Sequence, residues 1–237
     1  MKTPFLRAVF HLSSAAMALA SFNLSAATLY VSLDSPNLSP PFAAWATAAT
    51  NIQQAVDAAS AGDEILVTNG VYAAGGKAAG TNTLLNRVAV ERPLTLRSVN
   101  GPQLTIIQGY QVPGTTNGHG AVRCVYLADG ARLSGFTLTN GATLSYYQQL
   151  GGSDYSGGGV ICVTANAVVT NCHIIGNSAW SVGGGVYGGT VTNCTLAGNS
   201  AFWVGGACDA TLYNCLLTGN AGYAGGGQQG VPSTVAP

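Results

Sequence analysis

Charge is scarce in this sequence. Of 237 residues, eight are Lys or Arg and eight are Asp or Glu, so charged side chains make up 7%, against an ordinary share of about 25%. That excludes a helical bundle or coiled coil, whose wet faces need Glu, Lys and Arg. It also excludes a nucleic-acid binder, which needs an excess of cations to neutralise phosphates. Intrinsic disorder calls for low hydrophobicity and high net charge, whereas here 47% of the residues are hydrophobic and the formal net charge is zero. Glycine, by contrast, is abundant: its 33 residues are about twice the ordinary frequency. The composition fits a neutral β-structured protein and names no activity.

The first 27 residues read as a secretory signal peptide. Lys2 and Arg7 charge the start, residues 8–22 are mostly apolar, and Ser25-Ala26-Ala27 supplies small residues for cleavage. The apolar run is short and broken by His11, Ser13 and Ser14, unlike a membrane span. Its removal leaves six basic against eight acidic side chains, a net charge near −2. No later segment is long and apolar enough to span a bilayer. A secreted or cell-surface protein is the expectation.

Internal repetition decides the fold. Val169-Thr-Asn-Cys-His-Ile-Ile-Gly-Asn177, Val191-Thr-Asn-Cys-Thr-Leu-Ala-Gly-Asn199 and Leu212-Tyr-Asn-Cys-Leu-Leu-Thr-Gly-Asn220 align, with Cys172, Cys194 and Cys215 spaced by 22 and 21 residues. A glycine cluster follows each copy, and a diverged copy runs from Leu133 to Asn140. Matching Asn140 to Asn177 implies about fifteen inserted residues. Within a copy, inward Val169, Cys172 and Ile174 alternate with outward Thr170 and His173 around a bend at Asn171, which gives two short strands meeting at a corner. The corner position reads Gly135, Asn171, Asn193, Asn214, the two residue types that tolerate a left-handed backbone. One such coil cannot bury its own inner face, so coils must stack.

The earlier sequence fits the same plan. Strands are expected at 28–32, 64–68, 88–90, 94–98, 104–108 and 122–127. Thr50-Asn-Ile-Gln53 forms a capping box opening a helix to about Ser60, which covers the open end of the stack. The boundaries are then a signal peptide at 1–27, an N-terminal strand and capping helix at 28–62, and coils over 63–237. No cap is evident before Pro237, so further coils or a partner are expected to cover that end.

Three features together resemble the right-handed parallel β-helix of the pectin-lyase-like family: Asn51-Ile-Gln-Gln-Ala-Val-Asp57 leading into Gly62-Asp-Glu-Ile-Leu-Val67, then Arg92-Pro-Leu-Thr-Leu-Arg-Ser98, then the Cys/Asn/Gly repeats. The late repeats also resemble those of bacterial polymorphic outer-membrane proteins, in Gly184-Gly-Val186 or Gly205-Gly-Ala207 and in Ile174-x-x-Asn177, Leu196-x-x-Asn199 and Leu217-x-x-Asn220. The fold implied is all-β, a solenoid with a short N-terminal capping helix.

The family resemblance raises polysaccharide lyase and glycoside hydrolase chemistry. Lyases need an acidic cluster for Ca²⁺ and a base; hydrolases need carboxylates flanking the scissile bond. Beyond residue 100 the acidic residues are Asp129, Asp154 and Asp209, which form no column. Arg123 and Arg132 have no repeated acidic neighbour. No catalytic residue is assigned, and no metal or cofactor is expected. Cys172, Cys194 and Cys215 are expected to stack as buried thiols rather than disulfides, with Cys124 and Cys162 sharing one register. The glycine clusters are read as tight corners. The functional lead is aromatic. Trp180, Phe202 and Tyr223 each stand third after a repeat Asn, Trp203 is adjacent, and the insertion adds Tyr146, Tyr147 and Tyr155. Aromatic faces on one side of a rod can stack on sugar rings, or on one another over the glycines. The reading is a non-catalytic module for adhesion or glycan interaction, with polysaccharide or a cell-surface glycan as partner and a lyase or hydrolase as the alternative.

Overall fold

The computed structural model describes residues 26–145, 153–223, 225–229 and 234–235. The signal peptide, Tyr146 and Tyr147 lie outside these residues, apart from Ala26 and Ala27. The chain winds as a right-handed parallel β-helix with three faces. The first face carries Thr28–Val31, Glu64–Val67, Thr95–Ser98, Arg132–Ser134, Val168–Thr170, Thr190–Thr192 and the start of Thr211–Thr218. The second carries Gly70–Tyr72, Thr105–Gln108, Thr137–Thr139, His173–Ile175, Thr195–Ala197 and the end of Thr211–Thr218. The third carries Leu85–Val90, Val122–Leu127, Val160–Cys162, Val186–Tyr187, Ala207–Cys208 and Gln228–Gln229.

Period-2 alternation turns one set of side chains inward from every face, and parallel register stacks them. Leu29, Ile65, Leu96, Leu133, Val169, Val191 and Leu212 form one buried column. Ile107, Leu138, Ile174 and Leu196 form a second, and Val88, Val125, Val160, Val186 and Ala207 a third. Each large aliphatic side chain so buried contributes about 1.5–3 kcal/mol, so the core is a continuous apolar rod.

The corner between first and second faces is left-handed as expected: φ is 79° at Gly135, 52° at Asn171, 55° at Asn193 and 49° at Asn214. Five residues on lies a second such corner, with φ of 54° at Asn140, 65° at Gly176, 60° at Gly198 and 60° at Gly219. Since Leu138 pairs with Ile174, Asn140 matches Gly176 and Gly141 matches Asn177. The alignment of Asn140 with Asn177 is therefore off by one residue.

Asn177, Asn199 and Asn220 form an amide ladder at the end of the second face. The Asn199 Oδ1 accepts from the backbone N–H (3.0 Å) and Nδ2 (3.1 Å) of Asn177, and its own Nδ2 donates to Ile174 O (2.8 Å) and Asn220 Oδ1 (2.9 Å). The ladder ends on Gly141, whose N–H donates to Asn177 Oδ1 at 2.8 Å.

Close backbone approach explains most of the glycine clusters, rather than tight corners. A Cβ on Gly158, Gly184 or Gly205 would stand 2.1, 2.1 or 2.2 Å from the carbonyl oxygen of Ser178, Ser200 or Ala221. The coil is pinched there until backbone meets backbone. Only Gly157, Gly183 and Gly225 of these clusters have positive φ.

The helix α1, Ile52–Ala58, is capped by Asn51 rather than Thr50: the Asn51 Oδ1 accepts from Gln54 N at 2.9 Å. Gln53 is thereby freed for another task. Its Oε1 accepts from Ala89 N (2.7 Å) and its Nε2 donates to Ala89 O (3.3 Å), so one side-chain amide substitutes for the next strand on the third face. All six cysteines are free and buried. Cys172, Cys194 and Cys215 stack as expected, the Cys172 N–H donating to Cys194 Sγ at 3.3 Å. Cys124 and Cys162 do not share a register, because Cys162 pairs with Leu127.

Candidate functional site

On the third face the outward column runs Ala89, Tyr126, Ile161, Tyr187, Cys208. Ala89 lies under Gln53, and Tyr126 and Tyr187 are half-buried on either side of Ile161. Over them opens a cleft of about 380 Å³, lined also by Thr81, Asn82, Ser153 and Val163. A second cleft of about 220 Å³ continues past Tyr187 to Asp209 and Thr211. The two share Cys162, Val163 and Tyr187, which makes a groove along the face. Burial raises both phenols above the ordinary tyrosine value; Asp209 raises Tyr187 further, and Glu91 raises Tyr126.

Two residues of opposite charge hold the groove's wall in place. Arg123 is fully buried, with its Nε donating to Gly157 O (2.8 Å), one Nη to Asn86 Oδ1 (2.7 Å), and the other to Ser156 O (2.9 Å) and Ser153 O. Burial pushes the guanidinium down to about 10, partly offset by the Asp154 charge, so it remains protonated at neutral pH. The Asp154 carboxylate accepts from Thr83 N (2.9 Å), Thr83 Oγ1 (2.9 Å) and Leu84 N (3.3 Å), and Ser153 Oγ donates to Asn82 Oδ1 at 2.6 Å. The end of the insertion is thus clamped against residues 82–86, and the clamp shapes the 380 Å³ cleft.

The aromatic residues singled out in the sequence come together in part. Phe202 and Tyr223 stack with ring centroids 6.3 Å apart and planes at 18°, and Trp203 meets both edge-on at 4.9 and 5.6 Å. Tyr223 is 83% exposed and Phe202 54%. Trp180 and Phe202 line a cleft of about 220 Å³ together with Ser178, Ser200 and Asn117. Tyr155 enters through its backbone, its carbonyl accepting from Ser181 N at 2.8 Å. The rings therefore do two things at once: three pack on one another, and two frame a cleft.

The Tyr126–Tyr187 pair was missed in the sequence, although its signal is present. Val125-Tyr126 and Val186-Tyr187 each place a tyrosine directly after an inward valine. The acidic residues do not form a column: Asp129 accepts from Thr164 Oγ1 (2.5 Å) and Asn166 Nδ2 (3.0 Å), which hold its carboxyl below the ordinary value. His173 is half-buried on the second face, and His119 lines a separate cleft.

No family model matches the chain, and no curated protein matches it. Two solved structures resemble it. One is a pectin methylesterase in complex with a hexasaccharide, at 16% identity and TM-score 0.50, with 84% of this chain and 57% of that one covered. The other is a rhamnogalacturonan lyase at 12% identity and TM-score 0.50, covering 88% and 62%. The chain therefore spans 57–62% of the length of these neighbours. At such identities the likeness concerns the fold alone, and the three-faced stack just described agrees with it: the chain is an all-β, right-handed parallel β-helix.

Proposed function

We propose that the protein is a secreted or cell-surface module that binds a glycan chain along its third face without cleaving it. One observation carries this reading: Tyr126 and Tyr187 stand two rungs apart, about 10 Å, in a cleft walled by amide and hydroxyl groups. Sugar rings present apolar C–H faces to aromatic side chains and hydroxyls to amides, and this wall offers both. The Trp180–Phe202 cleft, with Ser178 and Ser200 in its lining, is a secondary contact on the same terms. Export rests on residues 1–27, and among the described residues no helix is long and apolar enough to cross a membrane. The Gly-Gly and Ile/Leu-x-x-Asn motifs of the late coils support placement at a cell surface.

The alternative is a lyase or hydrolase. The observation favouring it is Asp209 beside the Tyr187 phenol in the groove. Against it, Asp154 is engaged by Thr83 and Leu84, and Asp129 by Thr164 and Asn166. A polysaccharide panel followed for binding and chain cleavage together separates the readings. Binding that Tyr126→Ala and Tyr187→Ala each weaken by about tenfold, with unchanged circular dichroism, is the expected result. Chain scission that Asp209→Asn abolishes would replace this reading with the enzymatic one.

A further inference from the structure

The groove's electrostatics bear on which glycan it takes. After Arg132 the sequence contains no Lys or Arg, and the one histidine there, His173, lies on the second face, so neither the insertion nor the coils that follow it bring a lysine or arginine to the third face. The residues lining the 380 Å³ cleft carry no charge, and the continuation past Tyr187 adds a single carboxylate, Asp209. Three cations stand near by. Arg123 is buried behind the wall and committed to four oxygens. Lys77 is held between Asp57 (3.1 Å) and Glu91 (2.8 Å). Arg87 is spent on the carbonyls of Gln108 and Gly75. Glu91 is likewise engaged by Lys77 and the Gly80 N–H, and at Tyr126 its charge is opposed by that of Arg123. The charge that lines the groove itself is the Asp209 carboxylate, beside Tyr187. The Trp180–Phe202 cleft is lined by uncharged residues only.

Recognition of a carboxylated or sulfated chain depends on Arg and Lys, which pair with each anion, and like charges at a binding surface are repelled. We infer that the ligand of this groove is an uncharged glycan, and that acidic polysaccharides such as polyuronates are rejected. The inference rests on the glycan-binding reading above and deepens it.

Its test uses the whole mature chain with three probes: a neutral β-linked galactan, polygalacturonate, and the same polygalacturonate fully methyl-esterified, which removes the charge and keeps the backbone. At low ionic strength at least one neutral probe is expected to bind about tenfold more tightly than the acid chain, and added salt is expected to narrow the gap. In Asp209→Asn the gap should shrink about twofold; asparagine tolerates the left-handed backbone there, where φ is 53°. Polygalacturonate binding as tightly as the neutral probes, or an unchanged gap in Asp209→Asn, would overturn the inference and leave glycan binding intact. Binding to none of the three, nor to any member of the wider panel, would overturn both.

Discussion

The two ends of this solenoid are held together by different means. In the N-terminal coils the fastenings are individual and often charged. Arg97 pairs with Glu64 at 2.9 Å, and Lys77 bridges Asp57 and Glu91. The Asp63 carboxylate accepts from Ala27 N and Ser60 N, and Gln53 closes the strand edge at Ala89. In the C-terminal coils the fastenings are identical residues one rung apart: Asn on Asn, Cys on Cys, glycine backbone on backbone. A repeat of 21–22 residues makes each group's partner its own copy, so a single residue type satisfies donor and acceptor alike. Coils without a regular repeat need a separately chosen contact at each point. Arg123 joins the two regimes, because its guanidinium ties Asn86 of an early coil to residues 153–157.

The largest expected effect is on the pinched glycine rib. In Gly184→Ala the new methyl would meet Ser200 O at 2.1 Å and Gly205 O at 2.7 Å, both backbone, so a loss of more than about 4 kcal/mol is expected. Urea denaturation would show it, and a mild effect would mean that the coils are not packed as described. Next comes the middle of the amide ladder. Asn199→Ala strands a buried N–H, a buried amide and Ile174 O, and is expected to cost about 3 kcal/mol, against about 1 kcal/mol for Asn214→Gly, which keeps the left-handed corner and removes the exposed bond from the Asn214 Nδ2 to Asn193 Oδ1 at 2.7 Å. Equal costs for the two would remove the distinction between a buried ladder and a surface one.

Arg123→Met keeps the packing but leaves four oxygens unpaired, and is expected to cost about 2 kcal/mol. Because the clamp shapes the cleft, glycan affinity should fall as well. Affinity unchanged at equal loss of stability would reduce Arg123 to a fold residue. The smallest effect belongs to the charged end. Lys77 and the Gly80 N–H lower the Glu91 carboxyl below its ordinary value. Its contribution is therefore present above the unfolded carboxylate value, about 4.3, and lost as pH falls through the lowered folded value. Glu91→Gln should lower the melting temperature slightly at pH 6 and not at pH 2, with an energy below about 1 kcal/mol, since the pair is partly exposed.

The regular half of the molecule was legible in the sequence for the reason that makes it stable. A repeat that stacks on itself leaves the same residue at the same spacing, so Asn171, Asn193 and Asn214 declared the corner and Cys172, Cys194 and Cys215 the stack. The glycine clusters were visible but their use was not, since close approach depends on which carbonyl lies opposite. Matching Asn140 to Asn177 followed residue identity, where the corner needs only a left-handed residue and accepts Asn or Gly. The groove was hidden for a different reason. Tyr126 and Tyr187 lie 61 positions apart with the insertion between them, and only the pairing of both through Ile161 brings them to one face. Arg123 gave no sign of its role, because its partners are mostly backbone carbonyls.

The most direct test of the account is a crystal structure of the mature chain soaked with a neutral oligosaccharide that it binds in solution. The account predicts sugar rings lying on Tyr126 and Tyr187, with hydroxyls on Asn82 and Ser153. Sugar bound elsewhere, at the Trp180–Phe202 cleft alone or on another face, would contradict it.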